Sequence, residues 1–140
     1  MSDRSGFFWQ IQNGEVPTPE AVKTLCGRVV SVDPEAGTIE TEFRAGLPFT
    51  NPAGKIQGGF LAAMLDDTMG PALAATLKAG EFAPTLSLNV NYLQPASVGL
   101  IRGVGRVVRR GGKVCHLSGE LYQGENLVAS GTAVALLRSS

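Results

Sequence analysis

A polar, glycine-bearing loop that runs straight into an almost wholly apolar helix constrains this chain most. Asn51-Pro-Ala-Gly-Lys-Ile-Gln-Gly-Gly59 leads into Phe60-Leu-Ala-Ala-Met-Leu-Asp-Asp-Thr-Met-Gly70. Leu, Ala and Met all round a helix mean burial on every side, so the rest of the chain has to enclose it. Two adjacent acids, Asp66 and Asp67, sit on its third turn. Carboxylates among such neighbours are costly unless they are paired, protonated or employed. The helix is expected from Gly58 to about Ala79, with Pro71 inside it and Gly80 as its stop.

The flanking segments read as strands. Arg28–Asp33, the turn Pro34-Glu-Ala-Gly37 and Thr38–Arg44 form a hairpin whose second arm alternates β-formers with charges. Three β-rich segments close the chain. Thr85–Leu93 points Leu86, Leu88, Val90 and Tyr92 or Leu93 at a core, and Pro95 ends it. Leu100–Val108 turns through Arg109-Arg-Gly-Gly-Lys113 into Val114–Tyr122, and Leu127–Leu137 follows Gly124-Glu-Asn126. Two strands, one long helix and three strands argue an α+β fold, one curved sheet wrapped around the helix. Five strands cannot cover an apolar helix completely, so pairing with a second copy is expected.

Residues 1–26 form an N-terminal segment and 27–140 a single domain. Phe7, Phe8 and Trp9 precede any regular pattern and pack the terminus against the body or a partner. Thr18-Pro19-Glu20 starts a short helix, with Thr18 as its cap, that ends near Leu25. Cys26 and Cys115 lack metal or redox spacing and read as buried free thiols of a reducing cytoplasm. No signal peptide or membrane span is visible. Residues 1–97 carry six Lys/Arg against ten Asp/Glu, and 98–140 six against two. That balance does not suggest nucleic-acid binding, although the basic half suits a small anion.

Together, Asn51-Pro-Ala-Gly54-Lys-Ile-Gln57-Gly58-Gly59, the acid Asp66 nine residues after Gln57, and Asn89-Val-Asn-Tyr-Leu-Gln-Pro-Ala96 resemble the hotdog-fold acyl-CoA thioesterases of the phenylacetate-degradation (PaaI-like) type. The resemblance covers about residues 27–137 and departs at Gln57, where the family usually has His. It implies a hotdog fold and hydrolysis of an acyl-CoA, with coenzyme A present only as part of the substrate and no other cofactor or metal. It also implies Asp66 as base or nucleophile, Asn51 and Gln57 as orienting groups, and a homodimer or homotetramer with the site across an interface. Thr85 is expected to supply a hydroxyl beside the acid.

The start of the helix at Gly58 and Gly59 offers free amides to an oxyanion, with the Gly58 N–H as the chosen donor. Asp66, on one helical line with Ala62, Met69 and Leu73, is expected to be partly desolvated, its pKa raised. Asp67 is the competing acid. Arg106, Arg109, Arg110 and Lys113 are candidates for the phosphates of coenzyme A, against the plainer reading of a solvated hairpin tip. Phe60, Met64 and Met69 line an acyl tunnel or pack the core. His116, mid-strand, packs or faces solvent. Two further readings stay open, a non-catalytic acyl-thioester-binding protein and a hotdog dehydratase or hydratase. The latter needs an Asp/His pair, and His116 is far along the chain from Asn51.

Overall fold

A computed structural model describes residues 3–139; Met1, Ser2 and Ser140, at the outer ends of the two expected spans, lie outside the described residues. The chain is α+β, with the curved antiparallel sheet and enclosed helix of the hotdog fold. Two short helices, α1 (Phe7–Gln12) and α2 (Glu20–Thr24), precede the hairpin β1 (Gly27–Asp33) and β2 (Thr38–Ala45). The long helix α3 spans Gly58–Ala74. Then come β3 (Glu81–Phe82), β4 (Thr85–Tyr92), β5 (Gly99–Arg110), β6 (Val114–Gln123), β7 (Asn126–Leu136) and β8 (Arg138–Ser139).

The main sheet has six strands in the order β1-β2-β5-β6-β7-β4, all antiparallel. The five expected become six because Leu100–Val108 and Val114–Tyr122, the two arms joined by the Gly111-Gly112 turn and counted together among the three closing segments, are the separate strands β5 and β6. The pair β3–β8 makes a separate two-residue ladder that the sequence does not announce. Among the described residues no helix is long and apolar enough to cross a membrane.

Helix α3 stops five residues short of the expected end. Beyond Ala74 the bonds tighten to three-residue spacing, Thr76 to Leu73 and Leu77 to Ala74, and the Thr76 hydroxyl also takes the Leu73 carbonyl. That tightening satisfies orphan carbonyls locally. Gly80, at φ +83°, turns the chain toward β3 instead. Met64, Leu65, Met69 and Leu73 are fully buried against Phe43, Ile101, Leu117 and Leu121. Met64 and Met69 are thus core residues, and Phe60 is half-buried and stacks on Phe49 with centroids 4.4 Å apart.

The helix comes this close because glycines line the sheet beneath it. Gly105, Gly119 and Gly131 stand opposite one another on β5, β6 and β7. A Cβ on Gly105 would lie 2.9 Å from the Thr68 carbonyl oxygen, and one on Gly119 2.8 Å from Met69 Cγ. Two residues back along β5, on the same face, a Cβ on Gly103 would strike the hydroxyls of Thr41 and Thr68. Those two hydroxyls are buried and bonded to each other at 2.8 Å, and Thr68 also donates to the Met64 carbonyl at 2.7 Å.

Other expectations are corrected at the periphery. Phe7–Trp9 lie within helix α1 rather than before any regular structure. The Trp9 indole N–H donates to the Ala75 carbonyl at 3.0 Å, which ties α1 to the end of α3. Pro19, not Thr18, caps α2, and no side chain takes part. Cys26 is exposed and occupies the left-handed region at φ +52°, whereas Cys115 is buried as expected; both thiols are free. The bend at Cys26 turns the chain out of α2 into the edge strand and leaves the thiol outside.

Strand β4 is the other edge. Only Leu88 and Val90 pack toward the core, while Leu86 is 59% and Tyr92 54% exposed, with Leu93 also outside. Leu86 falls at a register shift in the β4–β7 ladder between Thr85 and Ser87, and an edge strand lacks a neighbour on one side to cover the side chains at its ends.

Gly105→Ala is expected to cost about 2–3 kcal/mol, because the atom it meets is backbone. Gly119→Ala should cost less, about 1 kcal/mol, because Met69 can shift. Urea unfolding of the two variants would check that order.

Candidate active site

The 3-10 turn Leu47–Phe49 and the loop after it set the entry to α3. The Asn51 side-chain oxygen accepts the amides of Ala53 (3.0 Å) and Lys55 (3.1 Å), and the Asn51 N–H donates to the Lys55 carbonyl at 2.7 Å. The oxygen of Asn51 is therefore spent on the loop, and only its side-chain NH₂ is left to address a ligand. Gln57 caps the helix through its backbone: its N–H donates to Phe49, and its carbonyl accepts Phe60 and Leu61. Its side chain is exposed and makes no capping bond.

Gly58 and Gly59 occupy the first helical positions, where amides have no partner within the helix. The Tyr92 hydroxyl donates to the Gly58 carbonyl at 2.9 Å, with its ring across the glycine. A Cβ on Gly58 would sit 3.0 Å from that ring, so glycine suits this close approach, whereas Gly59 faces open space. Asn51, Gly58, Leu61, Tyr92 and Gln94 line a cleft of about 340 Å³. Tyr92 or Leu93 was expected to point at the core. The alternation Asn89-Val-Asn-Tyr92 carried the only signal that Tyr92 faces the helix start instead.

Asp66 stands two turns further along. The Thr85 hydroxyl donates to its carboxylate at 3.0 Å, which brings the expected pair together at the start of β4. In the single chain Asp66 is exposed, so the desolvation expected of it falls elsewhere. Eight residues separate Gly58 from Asp66, a rise of about 12 Å. The Gly58 amide and the Asp66 carboxylate of one chain therefore do not reach one carbonyl.

Asp67, about 100° further round the helix, turns from β4 toward β1 and the N-terminal helices. It lines a groove of about 540 Å³ with Phe8, Val22, Gly27 and Phe43. Burial first, and the neighbouring Asp66 charge second, push its pKa up to about 6. The raised acid is thus Asp67, because the groove withholds water from it.

The basic group divides. Arg106 pairs with Glu120 at 3.4 Å and Arg110 with Glu81 at 3.8 Å, so two of the four expected phosphate ligands already face carboxylates. Arg109 and Lys113 are exposed at the β5–β6 tip, as is His116. The register Arg110–Cys115–Ala135–Thr85 sets this tip at the same end of the sheet as Thr85. Three strand spacings separate them, about 14 Å.

Comparison with known proteins adds to this geometry. Residues 53–130 match the model of the thioesterase superfamily. The crystal structure of a phenylacetic acid degradation-related protein from Ralstonia eutropha JMP134 is 45% identical, with a TM-score of 0.91 over 93% of this chain and 98% of that one. The PaaI protein of the Escherichia coli phenylacetic acid degradation operon shares the fold at 18% identity, with a TM-score of 0.83 over 95% and 94% of the two chains. A provisionally named esterase of Thermoplasma volcanium is 30% identical over 77 residues, 55% of this chain. The matched part spans 58% of that relative's length.

The raised pKa of Asp67 has a sign that can be tested. Its folded pKa of about 6 lies above the ordinary 3.8, so the native state holds the proton more tightly. Stability should therefore fall as pH rises from about 4 to about 6 and then level off. Asp67→Asn should be more stable than wild type by about 1–3 kcal/mol at pH 8 and equal to it near pH 3.5. Denaturant melts at the two pH values would measure the difference.

Proposed function

Because this chain belongs to the thioesterase superfamily, we propose that it hydrolyses an acyl-CoA to the free acid and coenzyme A. The helix start carries this reading. Gly58 lines, beside Asn51, a cleft that admits a thioester carbonyl, and Gly59 follows it in the first turn of the helix. A water adds to the carbonyl carbon and passes a proton to Asp66, while the carbonyl oxygen becomes an oxyanion held by the Gly58 N–H. When the tetrahedral centre collapses, the C–S bond breaks and the thiolate leaves, taking up the proton from Asp66. Thr85 holds the Asp66 carboxylate in place, and Asn51 and Gln57 orient the water or the carbonyl. Arg109 and Lys113 are the basic side chains left to meet the phosphates of coenzyme A. No cofactor is called for.

The site is proposed to need two copies. Strand β4 runs from Thr85, beside Asp66, to Tyr92, beside Gly58, and its outer edge has no neighbour among the described residues. Antiparallel pairing of this edge with a second copy brings each Thr85 end to the other chain's Tyr92 end. Asp66 then faces the amides of its partner, closing the gap of about 12 Å that one chain leaves. The pairing also covers Leu86, Tyr92 and Leu93. The free thiols fit a reducing cytoplasm.

A panel of acyl-CoA esters assayed for thiol release would test this. It should include phenylacetyl-CoA, given the description of the Ralstonia neighbour. Wild type should cleave at least one ester, and Asp66→Asn should lose about 10²-fold or more in kcat. Esters that bind but are never cleaved would favour a non-catalytic binding protein. Full activity in Asp66→Asn with loss in Asp67→Asn would reassign the acid.

A further inference from the structure

The groove that Asp67 lines is distinct from the cleft at the helix start. It lies on the β1 side of α3, under α1 and α2, while Asp66 and the cleft lie along β4 at the opposite edge of the sheet. Phe8, Ile11, Val22, Phe43 and Leu77 make its walls, and Phe7 and Phe82 stand exposed among its lining. Its volume of about 540 Å³ falls in the range of small-molecule sites.

Its polar groups are mostly committed. Arg28 is held by Glu42 at 2.7 Å, and Glu81 accepts the Lys78 amide and faces Arg110. Thr41 is bonded to Thr68. Asp67 alone among the groove's charged groups has neither a hydrogen bond nor an ion pair among the described residues. Gly27 keeps the approach to it open: a Cβ there would lie 3.7 Å from the carboxylate and 2.9 Å from the Phe43 ring.

We propose that this groove is a second binding site, which takes a small ammonium compound with an aromatic or alkyl body and pairs its charged head with Asp67. The walls bury the body, and aromatic faces favour a cation near them. An ammonium relieves both the desolvation of Asp67 and its repulsion by Asp66. An anion, including a free-acid product, meets the unpaired Asp67 carboxylate and is disfavoured. Arg28 and Glu81, the other charged groups facing the groove, are neutralised by their own partners.

The test is titration of the full-length protein with 4-phenylbutylammonium and with its neutral counterpart 4-phenylbutanol, followed by calorimetry and amide shifts. Asp67 passes from about one-tenth to about nine-tenths ionised between pH 5 and pH 7. The cation should therefore bind about tenfold more tightly at pH 7, with shifts at Val22, Gly27 and Ala74, while the alcohol shows no such rise. Asp67→Asn should bind the cation no better than the alcohol. Gly70→Leu tests the cavity separately, since Gly70 lines the groove and a Cβ there meets nothing within 4 Å. It should weaken both probes at least tenfold without lowering the melting temperature. No binding of the cation at millimolar concentration, shifts confined to β4, or wild-type affinity in either variant would overturn the proposal. None of these readouts depends on thioester cleavage.

Discussion

Close contact between α3 and the glycine row of β5, β6 and β7 fixes the placement of the helix on which the rest of this molecule depends. At Gly105 the helix carbonyl of Thr68 stands where a side chain would begin, and at Gly119 the Met69 side chain does. Such contact admits one height and one rotation of the helix, since packed interiors offer no slack. The Thr41–Thr68 hydroxyl pair, buried beside Gly103, locks the same rotation with a directional bond. Once rotation is set, the azimuth of every residue on α3 is set, and Asp66 and Asp67 are assigned to opposite sides.

The site inherits this precision. Its donors sit at the start of a helix held by Phe49, Gln57 and Tyr92, and its acid sits where the same helix passes the start of β4. Both lie along one open strand, so the geometry of the cleft and the geometry of the sheet edge are a single problem. The N-terminal helices close the other side, with Trp9 anchored on the Ala75 carbonyl, and so create the groove around Asp67.

Much of this was legible before any coordinate. Apolar residues all round Phe60–Gly70 announced an enclosed helix, and the turns at Pro34–Gly37, Gly111-Gly112 and Gly124 marked the hairpins. The neighbouring relation of Thr85 and Asp66 also emerged as expected. What escaped depends on register or on solvent, neither of which is local. Gly105, Gly119 and Gly131 are isolated glycines in sequence and become a row only when three strands are paired. Leu86 and Tyr92 alternate like core residues but belong to an edge. Asp66 and Asp67 have nearly the same sequence neighbours. Only the surroundings built by residues 7–29 decide which of them loses its water.

The adjacency of those two acids has a consequence for how the chain can vary. A helix advances about 100° per residue, so the direction in which a carboxylate points is a count of residues from Gly58. Exchanging one apolar side chain for another of similar volume leaves that count intact. Removing a single residue between Gly59 and Asp66 does not: it would turn Asp67 into the direction Asp66 had and carry the Thr68–Met69 pair off the glycine row. Between the loop and the acids, what this protein has to preserve is the length of its chain.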